Sequence, residues 1–378
     1  MASRSRRWLL RAAALAAGTG AAGAWYVFRP PPDRWGEPIP FLTDESVFYD
    51  KWSAKRHDPV FWYHAAKNPN INPLGWAGDD KGFSLELRGT GWSETLDSMR
   101  VRGAATDGGF PLLKTMRCSG DRPQLRLASN GVWTGVPLAD FLEPHLRRSD
   151  RRIRIHGADG FTANLRLDDL ATRDGRPSLL AFLLNGSPLS HERGGPVRLV
   201  VPDRFGFKSI KWPRRIEVTS DDSPWGNHEV DTEGGTDGGW VTLGSKILRP
   251  DLQQRNPIAT TKQQTLLLQG VAFGGLEPVE AVRVRVGAAD QPWQSAELDR
   301  PAELTEHWEA RKAWDERGRA WPLPDVWTPW SLEWTPPGPG DYPVAVRAVT
   351  PTGATQPEQD TFFRDADSSV AMGTLRVV

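Results

Sequence analysis

Lys114-Thr-Met-Arg-Cys-Ser-Gly-Asp-Arg122 carries most of the information in this chain. Its cysteine, Cys118, is the only one among 378 residues, so no intramolecular disulfide can form. Two arginines flank the thiol in the sequence, and neighbouring cations favour the thiolate, the form that binds metals or attacks electrophiles. Ser-Gly-Asp is typical of a turn, which predicts that the thiol lies where a short apolar strand ends in a loop.

The residues alone leave several roles open for this thiol. A buried, unreactive cysteine that packs as a small apolar side chain is one alternative. A nucleophilic cysteine would need a positioned histidine, and the seven histidines, among them His64, His145, His156 and His191, leave that open. A zinc site is disfavoured, because the chain has no second cysteine and no His-x-x-x-His pattern.

On either side of this stretch the chain divides into two parts of different character. Residues 29–240 contain short strand-like runs and one clear helical pattern at 135–147, which predicts a mixed, β-rich α+β domain. Residues 241–378 contain short alternating strands separated by turns rich in glycine and proline, the pattern of an immunoglobulin-like β-sandwich. The predicted strands are residues 83–87, 125–127, 152–155, 197–201 and 210–218, then 264–269, 282–286, 330–334 and 342–349.

The N-terminal residues 1–28 read as an export signal. Ser5-Arg6-Arg7-Trp8-Leu9-Leu10-Arg11 matches the twin-arginine pattern, a weakly apolar stretch without acidic residues follows, and Ala22-Gly23-Ala24 offers a cleavage site. The alternative is an uncleaved N-terminal anchor over residues 12–28. We therefore expect a periplasmic or other extracytoplasmic location. The 47 basic and 47 acidic residues balance, so no nucleic-acid partner is expected.

The cysteine stretch resembles the cysteine motif of sulfite oxidase-type molybdopterin enzymes. Further segments are similar to the same family and follow in its order over roughly residues 80–360: residues 133–142, 179–189, 194–202, 208–212, 266–270, 330–337 and 354–357. The resemblance implies a sulfite oxidase-type molybdopterin-binding domain followed by the immunoglobulin-like domain, which in this family often forms a homodimer. It also implies one molybdenum-molybdopterin per chain, with the thiolate of Cys118 as the protein ligand to the metal.

The same resemblance assigns the remaining site residues. It implies that Arg122 is catalytic beside Cys118, and that the following residues bind the cofactor: Tyr49, Lys51, Asp159, Arg193, Arg198, Ser209, Ile210 and Lys211. Simpler alternatives stand beside these roles. Arg198 and Lys211 could be ordinary surface charges of a strand, Asp159 a turn residue and Trp133 part of the core.

The sequence also departs from the family. Sulfite oxidases proper have a second arginine where this chain has Pro123, and their cofactor-strand histidine is Arg193 here; the expected tyrosine is not evident around residues 224–228. No haem domain is present in the sequence, so electrons would pass to an external carrier such as a cytochrome c or a membrane redox partner. These departures make sulfite a doubtful substrate.

These observations predict an exported molybdenum-cofactor oxidoreductase. Its reaction would be a two-electron oxygen-atom transfer on a small sulfur- or nitrogen-containing substrate. The alternative from another class is a non-enzymatic exported binding protein, with a degenerate cofactor domain and the sandwich as an interaction module.

Overall fold

The computed structural model describes residues 39, 41–42, 83–104, 108–123, 127–223, 225–226, 238–250, 252, 264–315, 321–361 and 366–378. The predicted export signal and the predicted cofactor residues Tyr49 and Lys51 lie outside these residues. Of the predicted strand at 125–127 only Leu127 is described, and it is not in a strand. Among the described residues, none of the helices is both long and apolar enough to cross a membrane.

The first sheet has five strands in the order β2-β1-β10-β5-β6. Strands β1 and β10 run parallel, and the other neighbours are antiparallel. Burial alternates along β5, where Ile153 and Ile155 are buried in the core and Arg154 lies on the opposite face. The bounds are β1 Ser84–Leu87, β2 Trp92–Thr95, β5 Arg152–Gly157, β6 Thr162–Arg166 and β10 Pro213–Thr219, with helix α1 Leu96–Ala104 after β2.

The second sheet carries the cysteine stretch. Its strands are β3 Phe110–Arg117, β4 Ala128–Pro137, β7 Leu179–Leu184, β8 Ser187–Pro188 and β9 Arg198–Val200, in the order β3-β4-β7-β8 with β9 also paired to β7. Both faces of β3 are buried. Leu112 and Met116 join one apolar cluster, and Leu113 joins another that includes Trp327 of the C-terminal half. This double burial explains why β3 begins with consecutive apolar residues, Phe110–Leu113, instead of alternating apolar and polar ones.

The C-terminal half contains two antiparallel four-stranded sheets. They share one apolar cluster, to which Trp330 contributes from one sheet and Val284 and Val346 from the other. Burying a Val or Leu side chain stabilises a fold by about 1.5–3 kcal/mol, so this apolar core can hold the two sheets together without a disulfide. One sheet is β11 Leu243–Arg249, β12 Leu266–Gly274, β16 Thr328–Trp334 and β15 Glu297–Leu298; the other is β14 Gln294–Ser295, β13 Ala281–Val286, β17 Gly340–Val349 and β18 Ala371–Val377.

The helix predicted over residues 135–147 is mostly wrong. Strand β4 continues to Pro137, and helix α2 covers only Leu138–Leu142 before a 3₁₀ turn, Glu143–His145. Pairing wins over helical periodicity here because Val136 lies opposite Leu180 of β7. Pro144 then stops the helix, since proline has no N–H to donate. Two short helices, α3 Glu303–Glu306 and α4 Trp308–Asp315, precede β16. The expectation of a β-rich fold with few helices is confirmed.

Candidate functional site

The thiol lies where the sequence predicts, immediately after a strand. Strand β3 ends at Arg117, Cys118 is 2% exposed, and Ser119 and Gly120 form a turn. The backbone N–H of Cys118 donates to the carbonyl of Leu127 at 3.0 Å. The N–H of Gly120 donates to Sγ at 3.1 Å, which stabilises negative charge on the sulfur. The local geometry therefore suits a thiolate ligand.

Arg117 does not act as a counter-ion for this thiol. Its Nε donates to Asp121 Oδ2 at 2.9 Å, its Nη1 donates to the carbonyl of Thr242 at 2.7 Å, and its guanidinium lies over the ring of Phe273. Successive residues at a strand end point to opposite faces, so Arg117 faces the C-terminal half. The electrostatic argument from two flanking arginines is corrected for this residue. Arg122 is half-buried, and its Nη1 donates to the carbonyl of Asp121 at 3.1 Å.

Buried cationic side chains lie before β9, at its start, and in the segment that leads from β9 to β10. Arg193 is the last residue of a 3₁₀ turn, and Arg198 begins β9; Lys211 forms a backbone bridge to Arg198. Arg198 and Lys211 are each 1% exposed, so the alternative that they are ordinary surface charges is wrong. Burying several like charges is costly unless they meet polar or anionic partners. Such a cluster fits an anionic group better than solvent.

Arg198 organises this cluster through its guanidinium. Nε donates to the carbonyl of Ser209 at 3.1 Å, and Nη1 donates to the carbonyl of Arg193 at 3.2 Å. The guanidinium also lies over the ring of Trp133, 5.3 Å from its centroid. Trp133 is a fully buried member of the apolar cluster, which agrees with the core-packing interpretation of this residue.

Ser209 and Ile210 contribute mainly through their backbone. The Ser209 hydroxyl accepts from the N–H of Val201 at 3.1 Å, and the carbonyl of Ile210 accepts from Leu199 at 2.9 Å. The side chain of Ile210 belongs to the hydrophobic core. Both residues hold the chain before Lys211 in place.

Asp159 lies in the turn between β5 and β6. Its Oδ1 accepts from the N–H of Phe161 at 3.0 Å, as expected for a turn residue. The N–H of the preceding Ala158 donates to the carbonyl of Trp212 at 2.9 Å, which places the turn against the segment that carries Lys211. The structure thus brings together the six predicted cofactor residues that it describes.

Sequence reasoning missed several contributors to this cluster. Lys208 is buried, and its Nζ donates to the carbonyl of Asn164 at 3.0 Å. Trp212 has φ 52° and donates from Nε1 to the carbonyl of His191 at 3.1 Å. Gly194 has φ 98°, and a Cβ there would lie 3.0 Å from Lys211 Cγ, so only glycine fits. The signal for Lys208 was its place three residues before Lys211 in a segment that resembles the family.

The thiol and the cationic cluster flank the same apolar cluster. Met116 lies two residues before Cys118 in the chain and shares a cluster with Trp133, over which Arg198 lies. Gly206, at the start of the turn that leads to Ser209, lies so close to Met116 that a Cβ would be 3.2 Å from Sδ. A soft sulfur donor on one side and buried cations on the other fit a cofactor that carries both a metal and an anionic tail.

A second buried charge network lies beside β3. Lys114 Nζ donates to Asp325 Oδ2 and to the carbonyl of Arg204, both at 2.9 Å, and Arg176 forms an ion pair with Asp203 at 2.5 Å. Burial, and then the neighbouring Asp325 carboxylate, raise the pKa of Asp203 to about 6. Burial lowers the pKa of Lys114. The network links the second sheet to the loop before β16.

Comparison with known proteins identifies the segment that carries the site. Residues 111–225 match the family described as the oxidoreductase molybdopterin binding domain. The chain therefore contains a segment similar to molybdopterin-binding oxidoreductases. That segment contains every predicted site residue that the structure describes, and its match confirms the expectation of a molybdopterin-dependent oxidoreductase.

Individual proteins of similar sequence are also described as oxidoreductases. An inducible NADH nitrate reductase of Glycine max is 29% identical over 265 residues, which are 61% of this chain and 28% of that protein. An uncharacterized oxidoreductase of Bacillus subtilis is 38% identical over 96 residues, 25% of this chain and 47% of that one. This chain thus spans less than a third of the length of the nitrate reductase. The sulfane dehydrogenase SoxCD of Paracoccus pantotrophus has a similar fold, with TM-score 0.58 and 18% identity over 79% of each chain.

Proposed function

We propose that this protein is an exported molybdenum-cofactor oxidoreductase that transfers an oxygen atom, with two electrons, to or from a small sulfur- or nitrogen-containing substrate. The observation that carries the proposal is that one apolar cluster contains Met116, two residues before Cys118, and Trp133, over which the buried Arg198 lies. All of these residues lie within the segment that matches the family. An external electron carrier, such as a cytochrome c or a membrane redox partner, completes the cycle.

Each part of the site has a distinct role in this proposal. The cofactor, when bound, supplies the redox and oxygen-transfer chemistry. Cys118 provides the thiolate ligand, and the Gly120 N–H stabilises its charge. Arg198, Lys211 and the backbone around Ser209 bind and orient the anionic part of the cofactor. The apolar cluster beneath them excludes water from the site.

The substrate is inferred from the residues after the cysteine. A small dianion needs converging cationic donors, and Pro123 offers neither charge nor N–H where a second arginine would stand. Arg122 Nη1 donates to the carbonyl of Asp121, and Arg193 lies in the cationic cluster. We therefore infer a larger or neutral S-oxide or N-oxide, with the protein acting as a reductase. A kcat/KM for sulfite above about 10⁵ M⁻¹s⁻¹ would contradict this inference.

Location and domain organisation are part of the same proposal. Export rests on the twin-arginine pattern at Arg6 and Arg7. We assign residues 29–240 to the catalytic domain and 241–378 to an immunoglobulin-like domain that can mediate a homodimer. The two antiparallel sheets with a shared apolar cluster support the second assignment.

Metal analysis of the native protein tests the proposal directly. We expect about one molybdenum per chain, bound together with the pterin. Protein of normal stability that binds neither molybdenum nor pterin would favour the alternative of a non-enzymatic binding protein. The assay needs no knowledge of the substrate.

A further inference from the structure

The loop that carries Cys118 is held from the C-terminal half of the chain as well as by its own strand. The N–H of Ala366 donates to the carbonyl of Ser119 at 2.6 Å, and the N–H of Asp367 donates to the carbonyl of Asp121 at 2.9 Å. Within the loop, the N–H of Asp121 donates to the carbonyl of Cys118 at 3.1 Å. The turn around the thiol is therefore fixed on both sides.

The carboxylate of Asp121 is the centre of this attachment. The residue is fully buried, and its Oδ1 accepts from Lys246 Nζ at 2.8 Å and from the N–H of Leu127 at 3.2 Å. Its Oδ2 accepts from Arg117 Nε at 2.9 Å. A buried carboxylate needs such donors, because each unmade hydrogen bond to a charged group leaves a large desolvation cost.

Lys246 is the donor that the C-terminal half supplies. It lies on β11, opposite Val271 of β12, and is 4% exposed. Besides the bond to Asp121, its Nζ donates to the carbonyl of Arg122 at 2.9 Å. One ammonium group on a paired strand thus binds two successive residues of the loop. Displacement of this loop would move the Gly120 N–H that faces the sulfur of Cys118.

We propose that Lys246, acting through Asp121, is a positioning residue for Cys118, and that the C-terminal sheets hold the thiol in the place from which it binds the metal. The role of Cys118 as a ligand rests on the proposed function. The attachment of its loop does not, and it can be measured on cofactor-free protein.

The experiment measures alkylation of Cys118 by iodoacetamide in the cofactor-free full-length chain. Because this is the only cysteine, the readout is unambiguous. In the wild type the buried thiol reacts only when the loop opens. We expect Lys246→Met to raise the alkylation rate at least about tenfold, because both charge-assisted hydrogen bonds from the ammonium to the loop are lost. Lys246→Arg, which retains the charge, should restore protection.

Lys114→Met is the matched control. Lys114 is a buried lysine on β3 that also pairs with an aspartate of the C-terminal half, Asp325, but it does not contact the loop. We expect the control to lower the free energy of unfolding without accelerating alkylation. If Lys246→Met does not fold, Lys246→Gln keeps a neutral donor and should give an intermediate rate.

Two outcomes would overturn the proposal: an alkylation rate of the Lys246 variants equal to that of the wild type, or equal acceleration by Lys114→Met. Molybdenum analysis of the wild type separates this result from the proposed function. If the wild type binds no molybdenum but Lys246→Met is still alkylated faster, the positioning role of Lys246 is supported and the proposed function is excluded.

Discussion

Replacing Arg198 by methionine tests the cationic cluster most directly. The guanidinium makes hydrogen bonds of 3.1 and 3.2 Å to two buried carbonyls and lies over Trp133. A hydrogen bond from a charged donor contributes about 1.5–3 kcal/mol. Methionine also removes the desolvation cost of a buried charge, so we expect the cofactor-free variant to lose only about 1–3 kcal/mol of its free energy of unfolding.

In this variant the affinity for the cofactor should decrease more than the free energy of unfolding. In its proposed role Arg198 makes one charge-assisted contact to the anionic cofactor, so its replacement predicts an affinity lower by roughly tenfold to a hundredfold. Two measurements report it: molybdenum content under limiting cofactor, and the rise in Tm between cofactor-free and loaded protein, which follows ligand affinity. Arg176→Met is the control, since Arg176 is equally buried but pairs with Asp203. Wild-type molybdenum content in Arg198→Met, or an equal loss in the control, would refute the assignment.

Three further predictions follow from other parts of the chain. Cys118→Ser should abolish turnover yet keep the fold and bound pterin, because a hydroxyl is a harder and less acidic ligand than a thiol; near-normal turnover would exclude Cys118 as the ligand. Because the pKa of Asp203 is raised to about 6, the folded state binds the proton of this carboxyl more tightly than the unfolded state does. Protonation of Asp203 therefore stabilises the fold below about pH 4, and this stabilisation is lost above about pH 6. Asp203→Asn cannot titrate, so its free energy of unfolding should gain on that of the wild type by up to about 3 kcal/mol between about pH 4 and about pH 6. Denaturant titrations at several pH values measure this difference, and a difference that does not change with pH would contradict the prediction. Replacing Arg6 and Arg7 by lysine should leave the protein in the cytoplasm on cell fractionation, whereas normal export would remove the twin-arginine assignment.

The sequence predicted the position of the thiol because turn residues directly follow an apolar run. Ser-Gly-Asp specifies a turn locally, and β3 indeed ends one residue before Cys118. It also predicted the group of residues around Arg198, but only through resemblance to a family. Nothing local distinguishes Arg198 from an exposed strand charge, because burial of an arginine depends on distant segments such as Trp133 of β4.

The two sequence predictions that proved wrong, the helix over residues 135–147 and the role of Arg117, failed for the same reason. Residues 135–147 have helical periodicity, yet pairing with β7 extends the strand to Pro137. Arg117 adjoins the thiol in sequence, but its guanidinium binds Asp121 and Thr242 on the other face of the strand. In both cases a contact with a distant segment, β7 for residues 135–137 and Thr242 for Arg117, overrides the local pattern, and such contacts are not readable from one sequence.

The attachment of Ser119 and Asp121 to residues 366 and 367 also has a consequence for biosynthesis. The partners are separated by about 250 residues, so these contacts can form only after all of the intervening chain has been synthesised. The loop that carries Cys118 is therefore expected to be completed late, which gives the proposed cofactor an interval in which to enter before the site closes. A ribosome-bound chain arrested before residue 366 is expected to expose Cys118 to iodoacetamide, whereas the released, folded chain protects it.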